Sequence, residues 1–319
     1  MASELVTTIV KPVAKRNGDR IFSLFLVVVT AAVPLLMGAI LVALTSAAWP
    51  AIRQFGLAFF VTSTWDPVAH EFGVLPFIYG TLVSSALALA LAVPLGLGVA
   101  IFLSEMVPNW LRAPIGFLVE LLAAIPSVVY GLWGIFVLVP WVRTTLGPFL
   151  KANLGFLPLF TGPPIGIGML TAGLILAIMV IPFIVAVGTE VMRAVPNTQR
   201  EAAIALGATR WETTRTAVLP YARSGIIGAI FLALARALGE TMAVTMVIGN
   251  VPQIKASLLA PAHTIPAVIA NEFTEATTDL YLAALLYAGL VLFVVTLVVN
   301  ILARLLVTRV ARGVEAIRE

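Results

Sequence analysis

Phe231-Leu-Ala-Leu-Ala-Arg-Ala-Leu-Gly-Glu-Thr-Met-Ala-Val-Thr-Met-Val-Ile248 is an apolar stretch holding two opposite charges, Arg236 and Glu240. A charge at the centre of a bilayer costs about 2.5–3.5 kcal/mol even on the most lenient scale. A chain keeps such residues where they neutralise each other, line a polar path, or do both. On a helix they are one turn apart and share a face. Thr241 and Thr245 lie near that face and add hydroxyls. The stretch reads as a membrane span with a polar interior.

The rest of the chain agrees. Hydrophobic residues make up 61% of 319 and charged residues 11%, against roughly 25% charged in soluble domains. This composition excludes an ordinary soluble domain. Basic residues are scattered with few aromatics between them, so no nucleic-acid tract is expected. Cysteine is absent, which removes disulfides, thiol nucleophiles and cysteine metal sites. No Gly-Lys pair occurs, so the chain has no P-loop of its own. His70 and His263 fall in loops and read as surface residues, and no metal site and no catalytic residue are expected.

A helix needs about 20 apolar residues to cross hydrocarbon. Six stretches qualify: Ile21 to Ala48, Val74 to Ser104, Ile115 to Val142, Gly166 to Val191, Ser224 to Gly249 and Tyr281 to Val307. Pro34, Pro94, Pro126 and Pro182 lie inside spans, where kinks are expected. Gly96 and Gly98 would allow close helix contact. The first stretch has a basic start but is far longer than the roughly 7–15 residues of a signal-peptide core, so it reads as a retained span.

Fourteen of the 19 Lys and Arg residues fall in loops or termini of one side and four on the other, with Arg236 inside a span. The positive-inside rule then places both termini and the loop 192–223 in the cytoplasm. The expected organisation is an N-terminal cytoplasmic segment 1–20, a six-span domain 21–307 and a cytoplasmic tail 308–319. The opposite loops read as ordered caps on which a soluble partner could dock, or as ordinary solvated loops.

Within loop 192–223, Asn197 or Thr198 is placed to cap a short helix, with Glu201 three residues past Thr198. Ala202, Ala203, Ala205 and Leu206 give it a small apolar surface, Gly207 can end it, and Trp211 adds a bulky group. Such a helix suits a groove in another protein. It equally suits a membrane-surface connector, and the physics leaves both readings open.

Glu201-Ala-Ala-x-x-x-Gly207, nine residues, then Ala217-x-Leu219-Pro220 resembles the EAA loop of ABC importer permeases. Ala217 stands where that pattern carries Ile, a mild change in apolar bulk. Glu120-Leu-Leu-Ala-Ala-Ile-Pro-Ser-Val-Val-Tyr-Gly131 and Ala235-Arg-Ala-Leu-Gly-Glu-Thr-Met-Ala-Val244 are similar to the phosphate-transport (Pst) permeases over essentially the whole length.

The resemblance implies an all-α membrane protein with six transmembrane helices and an ABC importer type I-like permease fold. It implies that Glu201, Ala202, Ala203, Gly207 and Trp211 couple to a separate ATPase. Arg236, Glu240 and Thr241 would lie on the substrate path. The implied partners are a homologous second permease (PstA-like), two ATPase subunits (PstB-like), an external phosphate-binding protein (PstS-like) and membrane lipid. This chain would hold no cofactor, with ATP and Mg on the ATPase, and would sit in the bacterial inner membrane. A permease for another oxyanion, such as molybdate or sulfate, shares the EAA loop. A proton-coupled transporter using the Arg236–Glu240 pair, and a membrane scaffold in which that pair is purely structural, are the readings from other classes.

Overall fold

Apolar segments long enough to span hydrocarbon cannot leave backbone groups unpaired, so they fold as helices. The computed structural model describes residues 17–315, with side chains from 21 to 305 apart from residue 109. Among these, six helical segments are long and apolar enough to cross a membrane. In order the elements are α1 (Asn17–Phe55), a hairpin of β1 (Trp65–Asp66) and β2 (Glu71–Phe72), α2 (Leu75–Ile101), α3 (Asn109–Ala124), α4 (Ser127–Trp133), α5 (Val139–Trp141), α6 (Gly147–Leu154), α7 (Met169–Arg193), α8 (Asn197–Ala205), α9 (Arg210–Thr213), α10 (Leu219–Leu238), α11 (Met242–Ile248), α12 (Ile265–Glu272) and α13 (Asp279–Glu315). The chain divides into two compact units, 1–47 and 48–319. The first contains most of α1, and everything else lies in the second.

Residues 1–16 of the expected N-terminal segment lie outside the described residues, as do the last four of the expected tail. The described part of that tail continues α13 as helix to Glu315.

The second unit is built around α7, packed against α2, α10, α3 and α11. Its central cluster includes Ala88, Ala92, Ile175, Leu176, Val180, Ala233, Val244 and Val247. Small residues bring α2 and α7 together: a Cβ on Gly96 would lie 2.8 Å from Ile184. Gly98 faces open space, so only the first of the two glycines serves this contact. A second cluster joins Phe59, Phe72, Phe77, Ile265, Tyr281 and Tyr287 on the face opposite α8.

Two spans differ from their expected shape. The third was expected as one helix from Ile115 to Val142. Instead α3 ends at Ala124, Ile125 and Pro126 are extended, and α4 starts a new helix. Proline has no N–H to give the carbonyl four residues back. That carbonyl belongs to Leu122, and the Tyr130 hydroxyl donates to it at 2.8 Å. Tyr130 thus satisfies the group that Pro126 leaves bare. From α4 the chain reaches Leu154 through two π-helical turns, Gly134–Leu138 and Val142–Leu146, with α5 between them and α6 after.

The fifth span starts earlier than Ser224, its helix running from Arg210 through a π-helical turn, Thr214–Val218, into α10, which stops at Leu238. Gly239, Glu240 and Thr241 interrupt it before α11. Pro94 and Pro182, by contrast, stay inside continuous helices.

The loop between α11 and α12 is an ordered strap. Gly249 and Asn250 turn it with positive φ, and Leu170 and Met169 N–H groups donate to the Leu258 and Ala260 carbonyls. It runs so close to α2 that a Cβ on Gly80 would meet the His263 carbonyl at 1.9 Å. Thr81 accepts from the Ile265 N–H at 3.0 Å. His263, expected at the surface, is therefore buried, edge-on to Phe77, while His70 is exposed.

Burial pushes the His263 imidazole down to about 4. The unfolded chain then binds more protons than the fold between about pH 6.5 and about 4. Stability falls as pH drops through that window, by about 3 kcal/mol for a shift of this size. Thermal unfolding of the wild type should therefore lose more midpoint temperature from pH 7 to pH 4.5 than His263→Gln; parallel losses contradict the buried neutral state.

Candidate functional site

Arg236 lies in the last turn of α10 and Glu240 in the break that follows. They do not share one continuous helix, as the spacing had suggested, yet they still meet: Arg236 Nη2 is 3.8 Å from Glu240 Oε2. That is a charge contact rather than a hydrogen bond. The Glu240 side chain is 5% exposed and that of Arg236 38%.

Each charge has a second anchor. Glu240 Oε1 accepts from the Ala243 backbone N–H at 3.3 Å, satisfying a donor that the first turn of α11 leaves open. The Arg236 guanidinium carbon sits 5.1 Å above the Phe183 ring of α7, a cation–π contact. Glu240 is thus held by backbone, whereas Arg236 rests on a ring and keeps a third of its surface open. Thr241 Oγ1 faces the Gly239 carbonyl at 3.4 Å, and Thr245 Oγ1 donates to the Thr241 carbonyl at 2.8 Å. The Thr245 hydroxyl proton is committed to backbone, whereas the Thr241 contact is too long to fix its hydroxyl.

The two broken spans lie side by side, since α11 packs on α4. Gly131 permits it: a Cβ there would be 2.4 Å from Met246 Sδ. Among the described residues, Leu232, Ala235, Arg236, Gly239 and Met242 are exposed and line one face of the fifth span. Glu120, Glu190 and Arg193 line one shallow pocket, and Glu120 and Arg193 a second. Glu190 pairs with Arg193 at 3.0 Å.

The loop 192–223 holds the second candidate cluster. α8 begins directly after Pro196, and neither Asn197 nor Thr198 caps it through its side chain. The capping box falls later: Thr209 accepts from Glu212 N–H while the Glu212 carboxylate takes the Thr209 N–H. Gly207 ends α8 with φ +86°, a conformation that favours glycine. Glu201, Ala202 and Trp211 are exposed and Ala203 is half-buried. Leu206 is 90% exposed. Ile204, which the sequence reading passed over, is exposed beside it. The result is an apolar, polar-rimmed knob on one face of the bundle, the surface type that marks a contact site. Phe183 and Tyr130 were missed as well; each acts on a residue more than seven positions away or on another span.

The helices, the discontinuous third and fifth spans and the projecting α8 define a multi-pass membrane permease of the ABC-importer class. A model of the binding-protein-dependent transport system inner membrane component matches residues 92–312. The phosphate transport system permease protein PstC of Mesorhizobium japonicum is 50% identical over 279 residues, covering 86% of this chain and 85% of that one. The PstC of Xylella fastidiosa (strain Temecula1) is 50% identical over 303 residues, covering 93% and 92%. That of Haemophilus influenzae is 48% identical, covering 86% and 88%. A solved inward-facing MetNI methionine ABC transporter overlays with a TM-score of 0.53 at 18% identity, covering 79% of this chain and 99% of that one. That likeness bears on the fold alone. The chain belongs to the family of binding-protein-dependent transport system inner membrane components, in the branch of the PstC permeases.

Glu240 serves as charge partner and as backbone acceptor, and the two roles separate by substitution. Glu240→Gln keeps an oxygen for Ala243 N–H, while Glu240→Ala removes it and should cost about 1–3 kcal/mol. Thermal unfolding of the purified protein should rank wild type above Glu240→Gln and that above Glu240→Ala; equal losses in the two variants would show that the cap contributes nothing.

Proposed function

We propose that this chain is the permease subunit of an ATP-driven importer of inorganic phosphate. The observation that carries the reading is the Arg236–Glu240 pair at the break of the fifth span, in a chain about half identical to PstC permeases along nearly its full length. A guanidinium presents a fork of N–H groups suited to phosphate oxygens. Arg236 is the more movable partner, so an arriving anion can draw it from Glu240 at the cost of a long, weak contact. Glu240 stays in place through Ala243. Phosphate near neutral pH still carries a proton that a fixed carboxylate can accept, whereas sulfate carries none. Glu240 therefore disfavours sulfate at this point of the path. Thr241 flanks it with a hydroxyl.

In this reading α8 docks in a groove of a separate ATPase through Ala202, Ala203, Ile204 and Leu206, with Glu201, Gly207 and Trp211 shaping the contact. ATP and Mg belong to that ATPase, of PstB type and present in two copies. A PstA-like permease faces the open side of the fifth span across the substrate path, and a PstS-like binding protein delivers phosphate on the side opposite α8. The loop charges favour both termini in the cytoplasm, and the matched family supports an inner-membrane location. ATP-driven closure of the ATPase pair pushes α8 and reorients the spans in alternating access. No covalent step takes place in this chain.

The test is ATP-driven uptake of labelled phosphate by the reconstituted complex. Arg236→Gln should assemble normally and lower uptake about tenfold or more, the equivalent of losing one charge-assisted contact of roughly 1.4 kcal/mol. Full uptake by an assembled Arg236→Gln complex removes Arg236 from the path. Uptake of sulfate or molybdate in place of phosphate by the wild type overturns the substrate. Uptake abolished by an uncoupler while ATP is present favours a proton-driven carrier.

A further inference from the structure

Arg200 precedes Glu201 in α8, and its contacts differ from those of every neighbour on that helix. Its Nε and Nη2 reach the two Glu105 oxygens at 3.1 and 2.9 Å, a bidentate fork. Nη2 also donates to the Met192 carbonyl at 2.8 Å, and Nη1 to the Val195 carbonyl at 2.6 Å. Nη1 further faces Asn197 Oδ1 at 3.4 Å. All three nitrogens are therefore engaged. The side chains are 18% and 10% exposed for Arg200 and Glu105, so water screens this pair less than an exposed surface pair. Glu105 stands on the π-helical turn Phe102–Met106 that closes the second span. Met192 and Val195 belong to the end of α7 and the turn after it, so one guanidinium joins α8 to the second and fourth spans.

The remaining α8 side chains are exposed, apart from half-buried Ala203. The other route from α8 into the membrane runs through α9 and the π-helical turn Thr214–Val218, both of which pack on α8, and on through α10 to Arg236. Val218, Ala222 and Ile226 of that route pack against Ala100, Met192 and Val195. These apolar contacts can slide, whereas a bidentate fork with carbonyl bonds fixes direction.

We propose that the Arg200–Glu105 pair is the joint through which movement of α8 reaches the second and fourth spans, so that they turn together with the fifth. Arg200 and Glu105 are positioning residues that do not meet the transported anion. The proposal rests on the docking of α8 to an ATPase described above.

The test uses the complete importer in proteoliposomes with loaded binding protein, following ATP hydrolysis and labelled phosphate uptake together. The chain has no cysteine of its own, so Glu105→Cys with Arg200→Cys can be bridged selectively when the partner subunits are cysteine-free. Unbridged, the double variant should keep its ATPase and hydrolyse ATP, yet carry about fivefold less phosphate per ATP, the lower end of ordinary coupling effects. Bridging with a short bis-methanethiosulfonate should restore the ratio, and reductant should lower it again. The same molecules are compared in each state, so misfolding cannot imitate the result. A wild-type ratio without the bridge, or a lowered ratio that bridging leaves unchanged, overturns the joint. Should the unbridged variant lose its ATPase, Arg200→Lys keeps the charge without the fork and should retain the ATPase with a lowered ratio; a wild-type ratio there overturns the joint too. A wild-type complex that hydrolyses ATP but carries no phosphate contradicts the proposed function, and the joint with it.

Discussion

Everything in the fifth span turns on the Glu240 carboxylate. Breaking a helix inside hydrocarbon exposes backbone groups that lipid cannot satisfy, and placing a cation there adds a charge that lipid cannot solvate. One carboxylate answers both: an oxygen toward Ala243 N–H and another toward Arg236. It allows α10 to end and α11 to begin in mid-span, and it sets an opposite charge against the arginine beside that break. Without it the span has either a straight helix and no charge, or a charge and no partner.

The third span has the same problem and a different solution. Pro126 deprives Leu122 of its donor, and the Tyr130 hydroxyl restores it. The segments after the two breaks, α4 and α11, then pack on each other through Gly131, Ala243 and Met246. The interrupted elements are thus neighbours, supported from behind by continuous α7, whose Phe183 carries the guanidinium. Irregular backbone at membrane depth is tolerated where protein or a water-filled cavity surrounds it, and here the uncovered side is the one bearing Arg236. On the α8 face, Arg200 and Glu105 place the loop against the same α2 and α7 that back the breaks.

Hydropathy alone makes the six spans legible, because a bilayer sets the length an apolar run must have. The charges of Phe231–Ile248 and the Glu201–Pro220 pattern are equally plain in the sequence, being contiguous. What escaped it depends on distant partners. Pro126 looks no different from Pro94 and Pro182, yet only Pro126 interrupts its span, and the helix that replaces it is fixed by contacts with α11. Gly239 and Glu240 sit in an apolar run that periodicity extends to Gly249, so the break is invisible until Ala243 N–H and Arg236 are placed around the carboxylate. His263 looks like any polar loop residue; its burial follows from Gly80 and Phe77 in α2. Arg200 counts among the cytoplasmic positives, and nothing local points to Glu105, 95 residues earlier.

On the proposed function, the open face of the fifth span borders water and the transported anion rather than lipid. A single cysteine at Ala235, beside Arg236 on that face, reports it in a chain that otherwise has none. In the assembled importer a membrane-impermeant sulfonated thiol reagent should label Ala235→Cys in at least one nucleotide state, and phosphate should slow the labelling where chloride does not. A cysteine that stays unreactive with and without ATP, while the complex transports, would place this face against lipid or sealed protein and contradict the account.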